Sequence, residues 1–130
     1  MRKFTLSTIS IIFTLFMSAA SAVEWKQVSS NHHATYYVNI DSIKNKGKYV
    51  YYWDLGNLFG PISDGILSIK SYNQGNCEKF LRKSLKNSFH KKPMGDGIGV
   101  VSNSNRQSWK TPPPASSSAK ILEFVCNYSD

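Results

Sequence analysis

The chain has 130 residues, with 16 lysine and arginine residues against eight carboxylates and a formal net charge of +8. This length allows one domain, and a hydrophobic content of 41% with 13% aromatic residues argues against a disordered chain. Because carboxylates and the three histidines are scarce, we expect a binding protein and not an enzyme, with no catalytic residues.

The N-terminus has the three parts of a secretory signal peptide. A basic Arg2-Lys3 start precedes a mostly apolar stretch at 4–17, and a small-residue run ends at Ala22. The apolar stretch is too short to cross about 30 Å of hydrocarbon as a helix. We therefore predict a signal peptide at 1–22 and a domain at 23–130, with no transmembrane segment in the mature form.

Export determines how the charge and the cysteines are interpreted. Loss of the signal peptide leaves a net charge of +6, and an exported basic domain points to an anionic surface and not to nucleic acid as its partner. No cysteine lies near the cleavage point, so we expect a periplasmic or secreted protein without a lipid anchor. Cys77 and Cys126, the only two cysteines, are predicted to form a disulfide.

The first half of the domain reads as three strands, at 24–29, 35–40 and 48–55. The third is the strongest, since Tyr49, Tyr51 and Trp53 share one face and apolar residues also occupy the other. Two apolar faces indicate a central strand covered on one side by a helix. We interpret the aromatic stripe as core, with a groove for carbohydrate or haem as the alternative.

The second half alternates between clear and ambiguous segments. Residues 56–65 are predicted as a loop around Gly60-Pro61, and 66–72 as a strand. The spacing in 78–89 fits a helix face and a strand face equally well. A glycine-rich turn at 93–97 precedes a short predicted strand at 98–101.

A C-terminal helix is predicted from Ala119 to Tyr128, after extended prolines and a choice of serine N-caps. Ile121, Leu122 and Val125 follow the spacing of a buried helical stripe. The elements together predict an α+β fold, in which an antiparallel sheet of about six strands carries one C-terminal α-helix tied to it by the disulfide.

The order of landmarks along the chain resembles that of the surface-adhesin protein E family of small exported bacterial proteins. The landmarks are Trp25, Tyr37-Val38-Asn39-Ile40-Asp41-Ser42-Ile43, Lys46-Gly47-Lys48-Tyr49-Val50, Trp53, Cys77, Pro93-Met94-Gly95-Asp96-Gly97, Trp109, Pro112, Ser116 and Val125-Cys126. The resemblance implies a six-stranded antiparallel sheet, with 78–89 as a strand. It also implies adhesion to extracellular matrix and serum proteins, and it allows haem as a cofactor where none is otherwise expected.

A basic cluster between the first cysteine and the glycine-rich turn is the candidate partner-binding site. It consists of Lys79, Arg82, Lys83, Lys86, Lys91 and Lys92. Such a cluster fits an extracellular or envelope protein or another anionic surface. The alternative is a solvated face that keeps the protein soluble.

The histidines at 32, 33 and 90 are expected to be exposed loop residues, so no metal site is predicted. Two other functions are kept as alternatives: a periplasmic structural or inhibitor-type protein that inserts a loop such as 94–98, and a small-ligand binder for haem. Unpaired edge strands would also permit a homodimer.

Overall fold

An antiparallel sheet forms one layer of the structure and an α-helix forms the other. The structure, a computed structural model, describes residues 12, 14, 15, 23–103 and 107–128. The predicted signal peptide at 1–22 lies almost wholly outside the described residues. The family-like domain, by contrast, falls almost entirely within them.

Seven strands make up the sheet within the described residues. They are β1 (Trp25–Ser30), β2 (Ala34–Asn39), β3 (Lys44–Lys46), β4 (Tyr49–Ile62), β5 (Ile66–Asn76), β6 (Leu81–His90) and β7 (Val100–Asn103). The main spatial order is β1-β2-β4-β5-β6-β7, and β3 pairs with the start of β4. The predicted α+β fold is confirmed, with β3 as a short addition that the sequence did not indicate.

The helix α1 (Ser117–Asn127) packs on one face of the sheet. Its Leu122 and Val125 are fully buried against the equally buried Val50 and Tyr52 of β4. A glycine at position 75 of β5 lets the helix approach, because a Cβ there would lie 2.7 Å from Leu122 Cδ1. The alternation in β4 therefore decides which side of the sheet becomes the core.

Both ends of the helix are fixed by features visible in the sequence. Ser116 is the N-cap, and its Oγ accepts a hydrogen bond of 3.1 Å from the backbone N–H of Ala119. At the other end the predicted disulfide joins Cys126 to Cys77, just after β5. The helix begins two residues before the predicted start at Ala119.

The predicted loop at 56–65 is wrong, because β4 continues to Ile62. Leu58 pairs with Ala34 of β2, and the N–H of Phe59 donates to the carbonyl of His33 at 3.0 Å. Pairing with β2 thus carries the strand past Gly56, and the chain turns only at 63–65. Pro61 fits because the β4–β5 register is irregular between Asn57 and Ile62.

The ambiguous segment at 78–89 is a strand from Leu81 onward, as the resemblance implied. β6 pairs with β5 over its whole length, with one register irregularity between the Tyr72–Lys86 and Asn73–Ser84 pairs. The extra residue at this bulge is Leu85, which breaks the simple alternation of side chains. As a result, Arg82 and Asn87 both lie on the helix side of the sheet, although one number is even and the other odd.

Candidate functional site

The side of the sheet away from the helix carries a cluster of aromatic rings. Trp53 of β4 stacks on Tyr72 of β5 with 5.2 Å between ring centroids, and Tyr51 lies 6.2 Å from the same tyrosine. All three side chains are half-buried. Their placement follows from the register, because Trp53 and Tyr72 are direct cross-strand partners.

A segment from outside the main strands completes this cluster. Lys110 forms an isolated bridge with Arg82, exchanging two backbone hydrogen bonds of 2.9 Å. The bridge brings the preceding Trp109 onto the side of the sheet away from the helix, which we call the open side. There its ring stacks on that of Tyr49, with 5.5 Å between centroids. We call the surface formed by Tyr49, Tyr51, Trp53, Tyr72 and Trp109 the aromatic face.

Lysines lie over the rings of the aromatic face. The Nζ atoms of Lys46 and Lys48 are each 5.4 Å from a tyrosine ring centroid, of Tyr51 and Tyr49 respectively. Lys83 Nζ is 4.8 Å from the centroid of Trp109. A cation within about 6 Å of a ring is attracted by the negative potential of its face.

On the three central strands, the aromatic face carries positively charged side chains and no negatively charged ones. The residues of β4, β5 and β6 that point away from the helix include Lys70, Lys83 and Lys86, and none of them is a carboxylate. Stacked rings with cations beside them offer contact area and positive charge together. Such a surface suits an acidic partner that also presents apolar or planar groups.

The interpretation of the aromatic stripe as core is therefore wrong for three of its residues. Tyr52 is fully buried under the helix, whereas Tyr49, Tyr51 and Trp53 lie on the open side. The pattern correctly placed those three side chains on one face. It could not show that the helix would cover the other one.

The six cations predicted as a partner-binding site do not form one surface. Lys83 points to the aromatic face and Arg82 to the helix side, while Lys79 lies in the turn before β6. Lys91 and Lys92 follow the other end of this ten-residue strand, about 33 Å away at the usual rise per residue. A role of the six residues in binding stays a prediction.

The N-terminus of the helix and the sheet enclose a cleft, which we call the helix cleft. Its volume is about 440 Å³, and its lining includes Tyr36, Asp54, Arg82 and Ser116–Ser118. Burial raises the pKa of Asp54 to about 7, although the Arg82 charge acts to lower it. Burial and the neighbouring Asp54 also raise the pKa of the Tyr52 hydroxyl.

Asp54 was not among the predicted site residues, although one signal was available. Val50, Tyr52 and Asp54 alternate along β4, so a carboxylate follows two inward-facing apolar residues. A charged residue at such a position is unusual unless it is paired or functional. Its neighbour Arg82, two strands away, could be found only from the register of β5 between them.

The expectation of exposed histidines holds for two of the three residues. His32 and His33 are exposed in the turn between β1 and β2, but His90 is only 3% exposed. Its Nδ1–H donates to the Asp96 carbonyl at 3.2 Å, and Nε2 accepts from Ser88 Oγ at 2.6 Å. Both ring nitrogens are thus used inside the protein, where His90 fixes the glycine-rich turn against the sheet.

Among the residues that the structure describes, no group of three or more His, Cys, Asp or Glu side chains is arranged to hold a metal ion. No helix in this part of the chain has the length and apolar character needed to cross a membrane.

Comparison with known proteins shows to which family the chain belongs. The surface-adhesin protein E model matches residues 25–127. Crystal form II of Haemophilus influenzae protein E is 16% identical with a TM-score of 0.64, over 82% of this chain and 89% of that one. The Se-Met form of the same protein is 17% identical with a TM-score of 0.64, over 83% and 90%.

Protein E from non-typeable Haemophilus influenzae is 14% identical with a TM-score of 0.60, over 83% of this chain and 78% of that one. Identities this low show a shared fold. No curated protein matches the chain significantly. The family match spans most of the chain, from β1 to α1, and the chain belongs to the surface-adhesin protein E family.

Proposed function

We propose that this chain is an exported adhesin-type module that binds acidic segments of extracellular or envelope proteins through the aromatic face. The observation that carries the proposal is the placement of Lys46, Lys48 and Lys83 over aromatic rings, on a side of the sheet whose central strands present no carboxylate. Family membership supports adhesion as the general role.

Two physical properties make the aromatic face suitable for a protein partner. Tyrosine and tryptophan are enriched among the residues that dominate binding energy, because they bury large areas with few rotatable bonds. The rings here already stack on one another and lie on paired strands, so little side-chain freedom remains to be lost on binding. The surrounding lysines would attract an acidic partner over several ångströms.

A pair of triple variants tests the proposal. Lys46, Lys48 and Lys83 are changed to Gln in the test variant, and Lys79, Lys91 and Lys92 in the control, so that both lose three positive charges. Binding to a surface coated with basement-membrane proteins is measured by biolayer interferometry. We expect the test variant to bind at least about tenfold more weakly, equal to about 1.4 kcal/mol, and the control to change by less than about twofold, as rim charges do.

The control also tests the basic cluster that the sequence suggested, since Lys79, Lys91 and Lys92 belong to it. An equal loss in both variants would show that net charge alone drives binding, and would refute a role for the aromatic face. No loss in either variant would refute both surfaces.

We propose a periplasmic or secreted location, which follows from the predicted signal peptide at 1–22. Cell fractionation and protease treatment of intact cells distinguish the two expected locations from a cytoplasmic one. Protection of the full-length chain in the cytoplasmic fraction, with no shorter form, would contradict export. Haem binding and homodimer formation stay predictions.

One observation favours an inhibitor-type function as a second candidate. Ile98 is fully exposed, at 100%, in the turn that follows Met94 and Gly95, two residues with left-handed backbone. An exposed apolar side chain on a fixed turn suits insertion into the pocket of another protein. Inhibition of a panel of envelope proteases by the native chain, lost in Ile98→Asp, would support this function, and absence of inhibition would refute it.

A further inference from the structure

The helix cleft has the size of a small-molecule site and lies on the opposite side of the sheet from the aromatic face. Its volume of about 440 Å³ falls within the range of about 300–1,000 Å³ usual for ligand pockets. Leu58 and Ile69 provide apolar lining, and the ring of Tyr36 lies beside them. The other lining residues include the polar or charged Asp54, Arg82 and Ser116–Ser118.

Two positive features line the cleft. Arg82 brings a guanidinium group from β6, whose flat array of donors matches a carboxylate. Ser117 and Ser118 line the same cleft at the first turn of the 11-residue helix. Backbone N–H groups in a first turn have no carbonyl one turn earlier to accept from them, and the helix dipole makes this end positive.

Unpartnered buried oxygens lie beside the carboxyl group of Asp54. Tyr52 and Asn73 are cross-strand partners, and the next pair on the same side of the sheet is Asp54 and Ser71. Both are fully buried, and the Tyr52 hydroxyl and Asn73 Oδ1 have no hydrogen-bond partner among the described residues. A buried polar atom without a partner costs free energy, but both atoms are shielded from the cleft, which Asp54 and Ser71 line in their place.

We propose that the helix cleft binds a small hydroxylated carboxylate of the acidic-sugar type. Its carboxylate lies against Arg82 and the backbone N–H groups of Ser117 and Ser118, its hydroxyls donate to Asp54, and its ring packs on Tyr36. A neutral sugar leaves the guanidinium group without its partner, whereas a simple fatty acid leaves Asp54 without donors. The arrangement therefore selects for a carboxylate and hydroxyls on one small molecule.

The test titrates the purified exported protein with glucuronate and follows ¹H–¹⁵N amide shifts. Glucose, which has the same ring without the carboxylate, serves as the matched ligand. We expect glucuronate to shift the amides of Ser117 and Ser118 and to bind at least about tenfold more tightly than glucose. Equal binding of the two sugars, or no glucuronate binding, would overturn the proposal.

Variants at neighbouring positions of β6 test which side of the sheet binds the ligand. Arg82→Gln should weaken glucuronate binding by at least about tenfold, while Lys83→Gln, with the same loss of charge on the opposite face, should leave it unchanged. If Arg82→Gln does not fold, Arg82→Lys serves as the second variant. It keeps the charge but loses the planar array of hydrogen-bond donors, and it should weaken binding several-fold. Undiminished binding in the folded Arg82 variants would overturn the proposal.

A pH series tests Asp54. The charged or titratable groups facing it are Arg82 on β6, Tyr52 on β4 and Tyr36 on β2, while the residues of α1 that line the cleft, Ser117, Ser118 and Ile121, carry no charge. Because the pKa of Asp54 is about 7, raising the pH from 6 to 8 places a second negative charge beside the ligand carboxylate. Affinity should fall over this interval in the native chain and stay constant in Asp54→Asn. The same slope in both would remove Asp54 from the site.

Discussion

Replacement of Gly75 by alanine should loosen the contact between helix and sheet. A Cβ at this position would lie 2.7 Å from Leu122 Cδ1 and 2.9 Å from Val50 Cγ1, whereas carbon atoms pack at about 3.5–4.0 Å. Both neighbours are fully buried, and the disulfide between Cys77 and Cys126 restrains how far the helix can move away. Overpacking of this kind costs about 1–3 kcal/mol.

Thermal and urea unfolding of the native chain and the variant give the measurement. A loss of 1 kcal/mol corresponds to about 4–8 °C for a domain of this size, so we expect the melting temperature to fall by at least about 4 °C. Gly60→Ala is the matched control, because a Cβ there meets no atom within 4 Å. A Gly75→Ala variant no less stable than Gly60→Ala would refute the close contact.

A double-mutant cycle shows whether Leu122 is the residue in contact. Leu122→Ala alone should cost about 2–5 kcal/mol by leaving a cavity. The double variant should lose less than the sum of the two single losses, since the truncated side chain makes room for the new methyl group. Strict additivity would mean that the methyl group at position 75 clashes with a residue other than Leu122.

Three further predictions concern stability. Replacing Cys77 and Cys126 by serine opens a link between residues 49 apart and should cost about 4 kcal/mol in the chain-entropy model, measured by urea unfolding. Burial raises the pKa of Asp54 from 3.8 to about 7, so the folded state binds this proton more tightly. The contribution of this carboxyl to stability should be greatest below about pH 4 and be lost as the pH rises to 7, and Asp54→Asn should remove that part of the pH dependence of the melting temperature. Ser116→Ala removes the N-cap and should cost about 1 kcal/mol, whereas Ser102→Ala, exposed on β7, should cost little.

The fold was predictable to the extent that local patterns determine it. Alternation in 48–55 and the helical spacing of Ile121, Leu122 and Val125 both correspond to observed elements. The extent of β4 was not predictable, because residues 56–58 pair with β2, about twenty residues earlier, and Ile62 pairs with Ile66 of β5. Glycine and proline favour a turn locally, but strand pairing outweighs them here.

The sites depend on register and were therefore harder to predict. Consecutive cations in β6 point to opposite sides of the sheet, so Arg82 lines the helix cleft while Lys83 lies over Trp109. Neither Asp54 with Arg82 nor Tyr49 with Trp109 is close in sequence. Asp54 and Arg82 line one cleft across β5, and Trp109 reaches Tyr49 across β5 and β6; no single segment of the chain encodes the alignment of these strands.

The positions of the tryptophans give the protein an optical reporter on one side. Trp53 and Trp109 belong to the aromatic face, and Trp25 lines a small hollow with Trp53 and Lys70 on the same side of the sheet. The helix cleft has no tryptophan among its lining residues in the described chain. Indole emission should thus respond when a protein covers the aromatic face and stay nearly constant when a small acid enters the cleft, so that one spectrum distinguishes the two events.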